Sequence, residues 1–360
     1  MQTFLSFHNG VLRTEIVFSD AITFSHDNAA SLFTFDSNTE PLFLKLIRPA
    51  AYLTVEAGEP SKNLASVQQI VQAALDQKLT RNAVFYAVGG GVVCDTVGFA
   101  ASIFKRGARL VLLPTTLLAM VDAAIGGKTA VDFGGAKNSL GSFYPAEKVL
   151  VCFDTLRTLP KAEFKNGLAE IIKIGMINEK KLFQLIMREP PERFFTPTAI
   201  LKEAIFMSIA GKTKIVEKDF HEQNIRMFLN LGHTFAHALE ALTAFNFISH
   251  GEAVGWGIAQ ELNLGVQLGL TDAAYAETIT ALLKRFGYMT DIFDMRLLSQ
   301  VNMSRRQFCS ALVQAMQNDK KNITGGEITF SLQKQLGSTV IVPVPRERLQ
   351  TLLAERLKIF

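Results

Sequence analysis

The first 155 or so residues alternate between short apolar runs and segments with helical spacing. Apolar runs of strand length occur at 32–36, 51–56, 83–90 and 109–116. Between them, residues 63–78 place their apolar side chains on one side of an amphipathic helix. Alternation of buried strands with helices is typical of a mostly parallel sheet covered on both faces. The pattern therefore predicts an α/β fold for this part of the chain.

The pattern changes after Pro160, where long helical segments replace the alternation. One such segment covers 167–187. Two extended segments at 327–333 and 338–344 precede a closing helical segment at 346–359. The second half is therefore expected to be mainly helical.

These two patterns predict two domains, and a chain of 360 residues is long enough to hold two hydrophobic cores. We predict a Rossmann-like α/β domain with a parallel sheet over residues 1–158. A mainly α-helical domain is predicted over residues 159–360.

The composition is that of an ordinary globular protein, with 48% hydrophobic and 19% charged residues. The net charge of +4, from 37 basic and 33 acidic residues, is too balanced to indicate a nucleic-acid surface. The most apolar span, 83–104, contains Asp95 and several glycines, so it fits a strand, a turn and a buried helix better than a membrane span. We expect neither a nucleic-acid partner nor a membrane partner.

The three cysteines, Cys94, Cys152 and Cys309, have no CxxC spacing, which argues against disulfides and thiolate metal sites. The N-terminal residues lack a basic segment leading into an apolar core, so we expect no signal peptide. Both observations favour a reducing, cytoplasmic location.

Three consecutive glycines, Gly89–Gly91, lie between a predicted strand and a predicted helix. Glycine allows a pyrophosphate to approach the backbone closely, and a helix N-terminus offers unpaired N–H groups. A tight strand-to-helix turn explains the glycines equally well. Two neighbouring features favour a nucleotide: Thr115 and Thr116 end the next strand, and Glu59 and Lys62 offer a ribose acceptor and a cation. The alternative for the last pair is a helix start capped by Ser61.

A polar segment follows at 121–141, in which Asp122, Lys128, Lys137 and Asn138 lie among glycines and small residues. Such a segment buries little apolar surface, and its charges suit a loop that closes over an anion. A solvated loop is the alternative.

Three of the six histidines, His233, His237 and His250, fall within one stretch of the second half. His233 and His237 are four residues apart and share a helix face, but the residues between them exclude an HExxH motif. Two imidazoles and one carboxylate suit Zn²⁺ or Co²⁺ acting as a Lewis acid. Glu170 is the candidate carboxylate, because it lies in an apolar helical segment with Lys173 on the same face. Ordinary hydrogen-bonded histidines are the weaker alternative.

Several motifs taken together resemble those of one enzyme family. The segments GEPSKNL, AVGGGVVCD, FKRG, LLPTTLLAMVDAAIGGKTAV, KNSLGSFYP, NGLAEIIK, KTKIVEKD, RMFLNLGHTFAHALE, HGEAV and DKKN resemble the successive motifs of the 3-dehydroquinate synthase family. They occur in the family's order and extend from about Asp36 to Asn322. As a set they are highly specific.

The resemblance implies roles for individual residues of this chain. The implied metal ligands are Glu170, His233 and His250. The residues implied to contact NAD are Asp36, Asn38, Glu59, Lys62, Gly90, Gly91, Asp95, Thr115, Thr116, Lys137 and Thr158. The residues implied to hold the substrate are Arg106, Asp122, Lys128, Asn138, Lys173, Lys212, Arg226, Asn230, His237 and Lys320.

The resemblance also implies a reaction, in which 3-deoxy-D-arabino-heptulosonate 7-phosphate becomes 3-dehydroquinate and phosphate. The implied steps are transient oxidation, phosphate elimination, re-reduction and aldol closure. The implied partners are a small anionic sugar phosphate and a second copy of the chain in a homodimer.

Two departures from the family pattern keep other functions open. Cys94 replaces a usual glycine, and VDAAIGGK replaces a commoner VDSSVGGK. A sister sugar-phosphate cyclase with another substrate is one alternative. An NAD- and metal-dependent polyol or glycerol dehydrogenase is another, and an inactive binding module is a third.

Overall fold

The computed structural model describes residues 3–8, 13–22, 30–244, 247–317 and 326–356. These residues form two compact units. The first contains the described residues up to Gly167 together with Arg193–His221, and the second contains Leu168–Glu192 and the described residues from Glu222 onward. This division differs from the predicted domains at residues 159–167 and at Arg193–His221, which belong to the first unit. The domain assignment stays a prediction.

The strands of the first unit belong to a large sheet and a hairpin. They are β1 (Thr3–His8), β2 (Arg13–Ser19), β3 (Ser31–Asp36), β4 (Tyr52–Val55), β5 (Val84–Gly89), β6 (Arg109–Pro114), β7 (Lys128–Phe133), β8 (Ala136–Phe143) and β9 (Lys148–Cys152). The large sheet has the order β1-β2-β9-β6-β5-β3-β4. All its neighbours are parallel except β1 and β2.

The helices of the chain are α1 (Glu40–Ile47), α2 (Leu64–Asp76), α3 (Gly91–Ile103), α4 (Lys161–Ile177), α5 (Lys180–Arg188), α6 (Ala199–Lys218), α7 (His233–Leu242), α8 (His250–Gln267), α9 (Ala273–Arg285), α10 (Met295–Val301), α11 (Arg305–Gln317) and α12 (Arg346–Glu355). Helix α4 begins in the first unit and ends in the second. None of the described helices combines the length and apolarity needed to cross a membrane.

The central strands of the sheet carry nearly continuous apolar runs because helices cover both faces. Phe33 and Phe35 of β3 pack with Val88 of β5, and α1 adds Phe43 and Ile47 to the same cluster. Strand ends that lie together at the carboxyl edge of such a sheet are the usual place for a ligand. The four strands predicted from the apolar runs, β3, β4, β5 and β6, are confirmed.

The polar segment at 121–141 is not the predicted loop. Most of it forms β7 and β8, which pair antiparallel. Their turn contains Gly134 and Gly135, with φ of 62° and 77°, and this left-handed backbone suits a tight hairpin. Thr129 and Val131 are buried on one side of β7. The period-two pattern is short and interrupted by charged residues, so the segment resembled a loop.

The alternative interpretation of the segment before α2, a helix start capped by Ser61, is wrong. The side chain of Asn63, and not that of Ser61, accepts a hydrogen bond from the backbone N–H of Ser66 at 3.0 Å. Ser61 lies two residues before Asn63, at the end of the 3₁₀ turn Glu59–Ser61. Asparagine is as strong a cap as serine, and its position one residue before the helix decides the outcome.

The second unit is mainly helical, with one antiparallel pair formed by β10 (Glu327–Gln335) and β11 (Ser338–Pro345). Both extended segments predicted there are confirmed. The helical segment 167–187 divides into parts of α4 and α5. The closing helix is present as α12, and residues 357–360 at the end of the predicted segment lie outside the described part of the chain.

Candidate functional site

Glu170 from the middle of α4, His233 at the start of α7 and His250 at the start of α8 converge in the second unit. The Nε2 atoms of His233 and His250 lie 3.6 and 3.7 Å from Oε1 of Glu170. One ligand atom from each residue lies within 4.8 Å of the others. Ligands bound to Zn²⁺ at about 2.1 Å in a tetrahedron would be about 3.4 Å apart. The cluster therefore has the spacing of a divalent metal site.

The remaining atoms of this cluster also suit a metal ion. Oε1 of Glu170 is buried and has no hydrogen-bond partner among the described residues. The Nδ1–H of His233 donates to the carbonyl of Leu231 at 3.2 Å, and Nε2 is the nitrogen that faces Glu170. A buried carboxylate oxygen without a donor is costly, and a bound cation would compensate for it.

His250 is held on both sides of its ring by carboxylates. Its Nδ1 lies 3.1 Å from Oε1 of Glu240, while Nε2 faces Glu170. Burial lowers the pKa of His250, but the neighbouring carboxylates of Glu170 and Glu240 outweigh burial and raise the pKa to about 10. Binding of a metal ion would replace this proton by another positive charge.

Close packing of α7 against α8 brings the two histidines together. Gly232 precedes α7 with φ of 84°, a left-handed conformation that favours glycine. A Cβ on Gly257 of α8 would lie 2.0 Å from the carbonyl oxygen of Gly232. The buried carboxylate of Glu261, also on α8, accepts the backbone N–H of Gly232 at 2.7 Å. These contacts fix the start of α7, and with it His233.

The predicted pairing of Glu170 with Lys173 is confirmed: the ammonium contacts Oε2 of Glu170, and both side chains are almost fully buried. His237 lies one turn after His233, with ring centroids 5.4 Å apart. The structure therefore places Lys173, His233 and His250 around the carboxylate of Glu170, with His237 against the ring of His233.

Three further predicted residues belong to the second part of the sequence. Arg226 is only 2% exposed and lies in the 3₁₀ turn Ile225–Asn230. Asn230 ends this turn, and its amide donates to Oε1 of Glu222 at 3.0 Å. Lys320 lies outside the described residues.

In the first unit, the glycine turn has the form expected of an anion site. Strand β5 ends at Gly89 and α3 begins at Gly91. Gly90 caps α3 without any side-chain hydrogen bond to the first amides of the helix. A Cβ on Gly90 would lie 3.3 Å from Cγ2 of Thr116, so the turn and the next strand end approach closely. The N-terminal amides of α3 are therefore suited to an anion.

The two threonines after β6 stabilise this arrangement. The backbone N–H of Thr115 donates to the carbonyl of Gly89 at 2.9 Å. The hydroxyl of Thr116 accepts the N–H of Ala119 at 3.1 Å and starts the turn that follows. Both residues thus lie at the carboxyl edge of the sheet, beside the glycine turn.

Lys62 connects two other predicted residues, Asp95 and Asn138. Its ammonium lies 2.7 Å from Oδ2 of Asp95 on α3 and donates to Oδ1 of Asn138 on β8 at 2.6 Å. Burial lowers the pKa of Lys62, but the charge of Asp95 and the hydrogen bond to it outweigh burial and raise the pKa. Nearby, Lys137 pairs with Glu59 at 3.0 Å. The hairpin is therefore fixed to the segment that precedes α2.

A second pair in this unit joins Lys212 of α6 to Asp122. The buried ammonium contacts the carboxylate of Asp122 and donates to its backbone carbonyl at 2.7 Å. Asp122 lies in the π-helical turn Ala119–Ala123. The carboxylate of Asp122 therefore compensates the charge of the buried ammonium of Lys212.

The structure places the other predicted residues of this unit in separate turns. Asp36 follows β3, and its carboxylate accepts the backbone N–H groups of Asn38 at 3.0 Å and Thr39 at 2.8 Å. Thr158 ends the 3₁₀ turn Phe153–Thr158, where its hydroxyl donates to Thr155.

Arg106 and Lys128 are both exposed. Lys128 is the first residue of β7. Arg106 has φ of 67° and follows Lys105, whose φ is 47°. Two consecutive non-glycine residues in the left-handed region cost free energy, about 1–3 kcal/mol each.

Two acidic residues that the sequence analysis did not select contact predicted site residues. Glu240 contacts His250, and Glu222 accepts from Asn230. Glu240 lies seven residues after His233 in the sequence, a spacing that would have indicated a shared helix face. Glu222 has φ of 59°, which the sequence pattern does not display.

Known proteins resemble the chain over most of its length. Residues 52–166 match the family model described as 3-dehydroquinate synthase N-terminal, and residues 167–322 match the model described as 3-dehydroquinate synthase C-terminal. A curated 3-dehydroquinate synthase from a Synechococcus species is 39% identical over 306 residues, which are 84% of this chain and 79% of the relative.

Two solved structures share the fold. A 2-deoxy-scyllo-inosose synthase complexed with carbaglucose-6-phosphate, NAD⁺ and Co²⁺ aligns with a TM-score of 0.81 at 20% identity, over 98% of this chain and 99% of that one. A 2-epi-5-epi-valiolone synthase from Streptomyces hygroscopicus with NAD⁺ and Zn²⁺ bound has a TM-score of 0.78 at 26% identity, over 91% and 92% of the two chains. The predicted fold class is confirmed.

Proposed function

The chain belongs to the 3-dehydroquinate synthase family, a family of enzymes, and we propose that it converts 3-deoxy-D-arabino-heptulosonate 7-phosphate to 3-dehydroquinate and phosphate. The observation that carries the proposal is the cluster of Glu170, His233 and His250, with both Nε2 atoms within 3.7 Å of one carboxylate oxygen. Its three ligands leave coordination positions open, as a metal site that binds substrate oxygens requires.

The proposed reaction is redox neutral overall, because one hydroxyl is oxidised and later restored. Oxidation acidifies the neighbouring C–H, phosphate leaves by elimination, and an aldol step closes the ring. When bound, NAD would take up and return the hydride, and a divalent ion would act as a Lewis acid on the oxygens at the reacting carbons.

The first unit supplies the proposed NAD contacts. The amides at the start of α3, with Gly90 and Gly91, would hold the pyrophosphate beside Thr115 and Thr116. Glu59 would accept a ribose hydroxyl. The further proposed contacts are Asp36, Asn38, Lys62, Asp95, Lys137 and Thr158.

The second unit supplies the proposed metal ligands, Glu170, His233 and His250. Lys173 contacts the other oxygen of Glu170 and compensates part of its charge in a buried environment. The metal ions that fit this site are Zn²⁺ and Co²⁺, because imidazole and carboxylate groups bind both.

Cationic and polar side chains are proposed to bind the substrate, which carries a phosphate and a carboxylate. We assign to this role Arg106, Asp122, Lys128, Asn138, Lys173, Lys212, Arg226, Asn230, His237 and Lys320. The departing phosphate can itself take the proton that elimination releases. The main task of these side chains is then to orient the substrate and to balance its charge.

Phosphate release from the heptulosonate phosphate, with the product identified by mass spectrometry, tests the proposal. The expected result is equimolar phosphate and 3-dehydroquinate with no net NADH. Net NADH production from glycerol would instead identify a polyol dehydrogenase. Absence of both activities in metal-loaded protein with NAD⁺ would favour an inactive binding module.

A sister sugar-phosphate cyclase is the second candidate function. The two solved structures described above are cyclases of this kind, and the fold is shared. Cys94 and the VDAAIGGK segment, where this chain departs from the family pattern, lie beside proposed cofactor and substrate residues. Phosphate release from a different sugar phosphate would favour this candidate.

We also propose a domain assignment and a setting for the enzyme. Residues 1–158 would form the NAD-binding domain, and residues 159–360 the metal- and substrate-binding domain. The enzyme would act in the cytoplasm as a homodimer, without a nucleic-acid or membrane partner. Light scattering of the purified protein tests the dimer: the mass of one chain, 39.7 kDa, would exclude it.

A further inference from the structure

One face of α7 carries three groups that belong to the same cluster. His233 and His237 are four residues apart, and Glu240 follows seven residues after His233. This spacing corresponds to one and two turns of an α-helix, so all three side chains leave the helix on one side. The first two were predicted site residues, and Glu240 was not.

Glu240 contacts a metal-ligand candidate from a different helix. Its Oε1 lies 3.1 Å from Nδ1 of His250, which is the first residue of α8. Glu240 is 5% exposed, so its carboxylate is largely withdrawn from water. A carboxylate only accepts, so the Nδ1–H of His250 donates to it. This bond leaves Nε2, on the side of Glu170, as the nitrogen that binds a metal.

The two histidines differ in what holds them. His233 donates its Nδ1–H to a neutral carbonyl, that of Leu231, at 3.2 Å. His250 donates to a carboxylate, which makes a stronger, charge-assisted bond. A carboxylate in this position fixes the orientation of the imidazole and makes the ligating nitrogen more basic. His250 is therefore a candidate ligand whose strength depends on a second side chain.

We propose that Glu240 is a positioning residue of the metal centre, which orients His250 and strengthens its bond to the ion. This inference rests on the proposed metal site. It concerns metal affinity and not the choice of substrate, so it can be tested without knowing the reaction.

The test measures Zn²⁺ affinity of the full-length, metal-stripped protein by competition with a chromophoric chelator. Loss of a residue that supports a ligating histidine typically weakens affinity by about 10–100-fold. We expect Glu240→Ala to fall in this range. Glu240→Gln keeps the shape and an acceptor oxygen but not the charge, so it should lose less than Glu240→Ala. The order wild type, Gln, Ala is the expected result.

A matched control separates positioning from general destabilisation. Gln260 on α8 is fully buried and donates to the carbonyls of Trp256 and Thr290. Gln260→Ala therefore removes a buried polar side chain from the same unit, and should lower the melting temperature without changing Zn²⁺ affinity. The visible spectrum of bound Co²⁺ should change in Glu240→Ala and not in Gln260→Ala.

Several outcomes would overturn the inference. Zn²⁺ affinity of Glu240→Gln and Glu240→Ala within twofold of wild type is one of them. A loss of Zn²⁺ affinity in Gln260→Ala equal to that in Glu240→Ala is a second. An unchanged Co²⁺ spectrum in both Glu240 variants is a third. If Glu240→Ala does not fold, the Zn²⁺ affinity of the isosteric variant Glu240→Gln decides whether the inference holds. Wild-type protein that binds no Zn²⁺ overturns the inference and the metal site together, whereas inactivity toward the heptulosonate phosphate leaves both standing.

Discussion

His233 and His237 share one helix face but are assigned different tasks, and substitution should separate them. Nε2 of His233 lies 3.6 Å from Glu170, so His233→Ala removes a ligand. We expect this variant to lose both metal and activity. His237→Ala keeps all three proposed ligands, so it should retain metal while kcat/KM falls by about 10²-fold, because a group that orients the substrate is lost. Elemental analysis and phosphate-release kinetics on the same preparations make the comparison. Full metal occupancy in His233→Ala would contradict the ligand assignment.

At the scale of residues, the sequence indicated the candidate ligands but not the side chains that contact them. Imidazoles and a carboxylate in an apolar helix, such as Glu170, are chemically conspicuous. Glu240 and Glu222 are ordinary acidic residues until the fold places them beside His250 and Asn230. Their partners lie on other elements, and the local pattern does not specify which elements pack together.

Among the elements, the contact between α7 and α8 should be the most sensitive to added volume. In Gly257→Ala, the new Cβ would lie 2.0 Å from the carbonyl oxygen of Gly232, so one helix must move. Overpacking of this kind costs about 1–3 kcal/mol. Movement would also separate His233 from His250, so we expect weaker Zn²⁺ binding together with a lower melting temperature.

Gly98→Ala is the control for this prediction. It introduces a similar clash in the first unit, where the new Cβ would lie 2.5 Å from Cγ2 of Thr129. It should lower stability and leave Zn²⁺ affinity unchanged. Equal Zn²⁺ affinities for wild type and Gly257→Ala would show that the spacing of the two helices does not set the metal site.

A substitution in the turn between β5 and α3 should weaken ligand binding while leaving the fold nearly as stable. Gly90 has φ of −74°, which any residue can adopt, and an added Cβ would lie 3.3 Å from Thr116. Gly90→Ala should therefore fold with nearly unchanged stability. The new methyl group would occupy the surface where the backbone is proposed to meet the pyrophosphate. We expect NAD⁺ affinity, measured by calorimetry, to fall by at least ~10-fold, a loss of about 1.4 kcal/mol. Unchanged NAD⁺ affinity would place the pyrophosphate elsewhere.

The elements also show where sequence patterns are insufficient. Strands β3, β5 and β6 are buried on both sides, and their long apolar runs identify them. The hairpin of β7 and β8 has one exposed side and many charged residues, so its alternation resembles a loop. Its stability depends on distant contacts, among them the bond from Lys62 to Asn138, and such contacts are invisible in a local window.

At the scale of the whole molecule, the fold does not select the substrate. The solved 2-deoxy-scyllo-inosose synthase and 2-epi-5-epi-valiolone synthase have TM-scores of 0.81 and 0.78 with this chain, and their names denote different products. Discrimination between substrates must therefore come from the side chains that contact the substrate. Of the six cations assigned to the substrate, Lys173 and Lys212 already contact Glu170 and Asp122. The other four are Arg106, Lys128, Arg226 and Lys320.

Six assigned cations suit a substrate that carries both a phosphate and a carboxylate, because each anionic group needs a charge-assisted partner where it is withdrawn from water. We therefore expect kcat/KM for the heptulosonate phosphate to exceed that for sedoheptulose 7-phosphate and glucose 6-phosphate by at least ~100-fold, in line with a charge-assisted contact worth about 3 kcal/mol. Arg226→Ala should lower kcat/KM for the heptulosonate phosphate by a similar factor. Arg226 is buried, so Arg226→Lys, which keeps the charge, controls for misfolding. The three substrates are assayed side by side by phosphate release. Comparable turnover of a sugar phosphate without a carboxylate would exclude the synthase in favour of a sister cyclase, while the fold and the metal centre would stand.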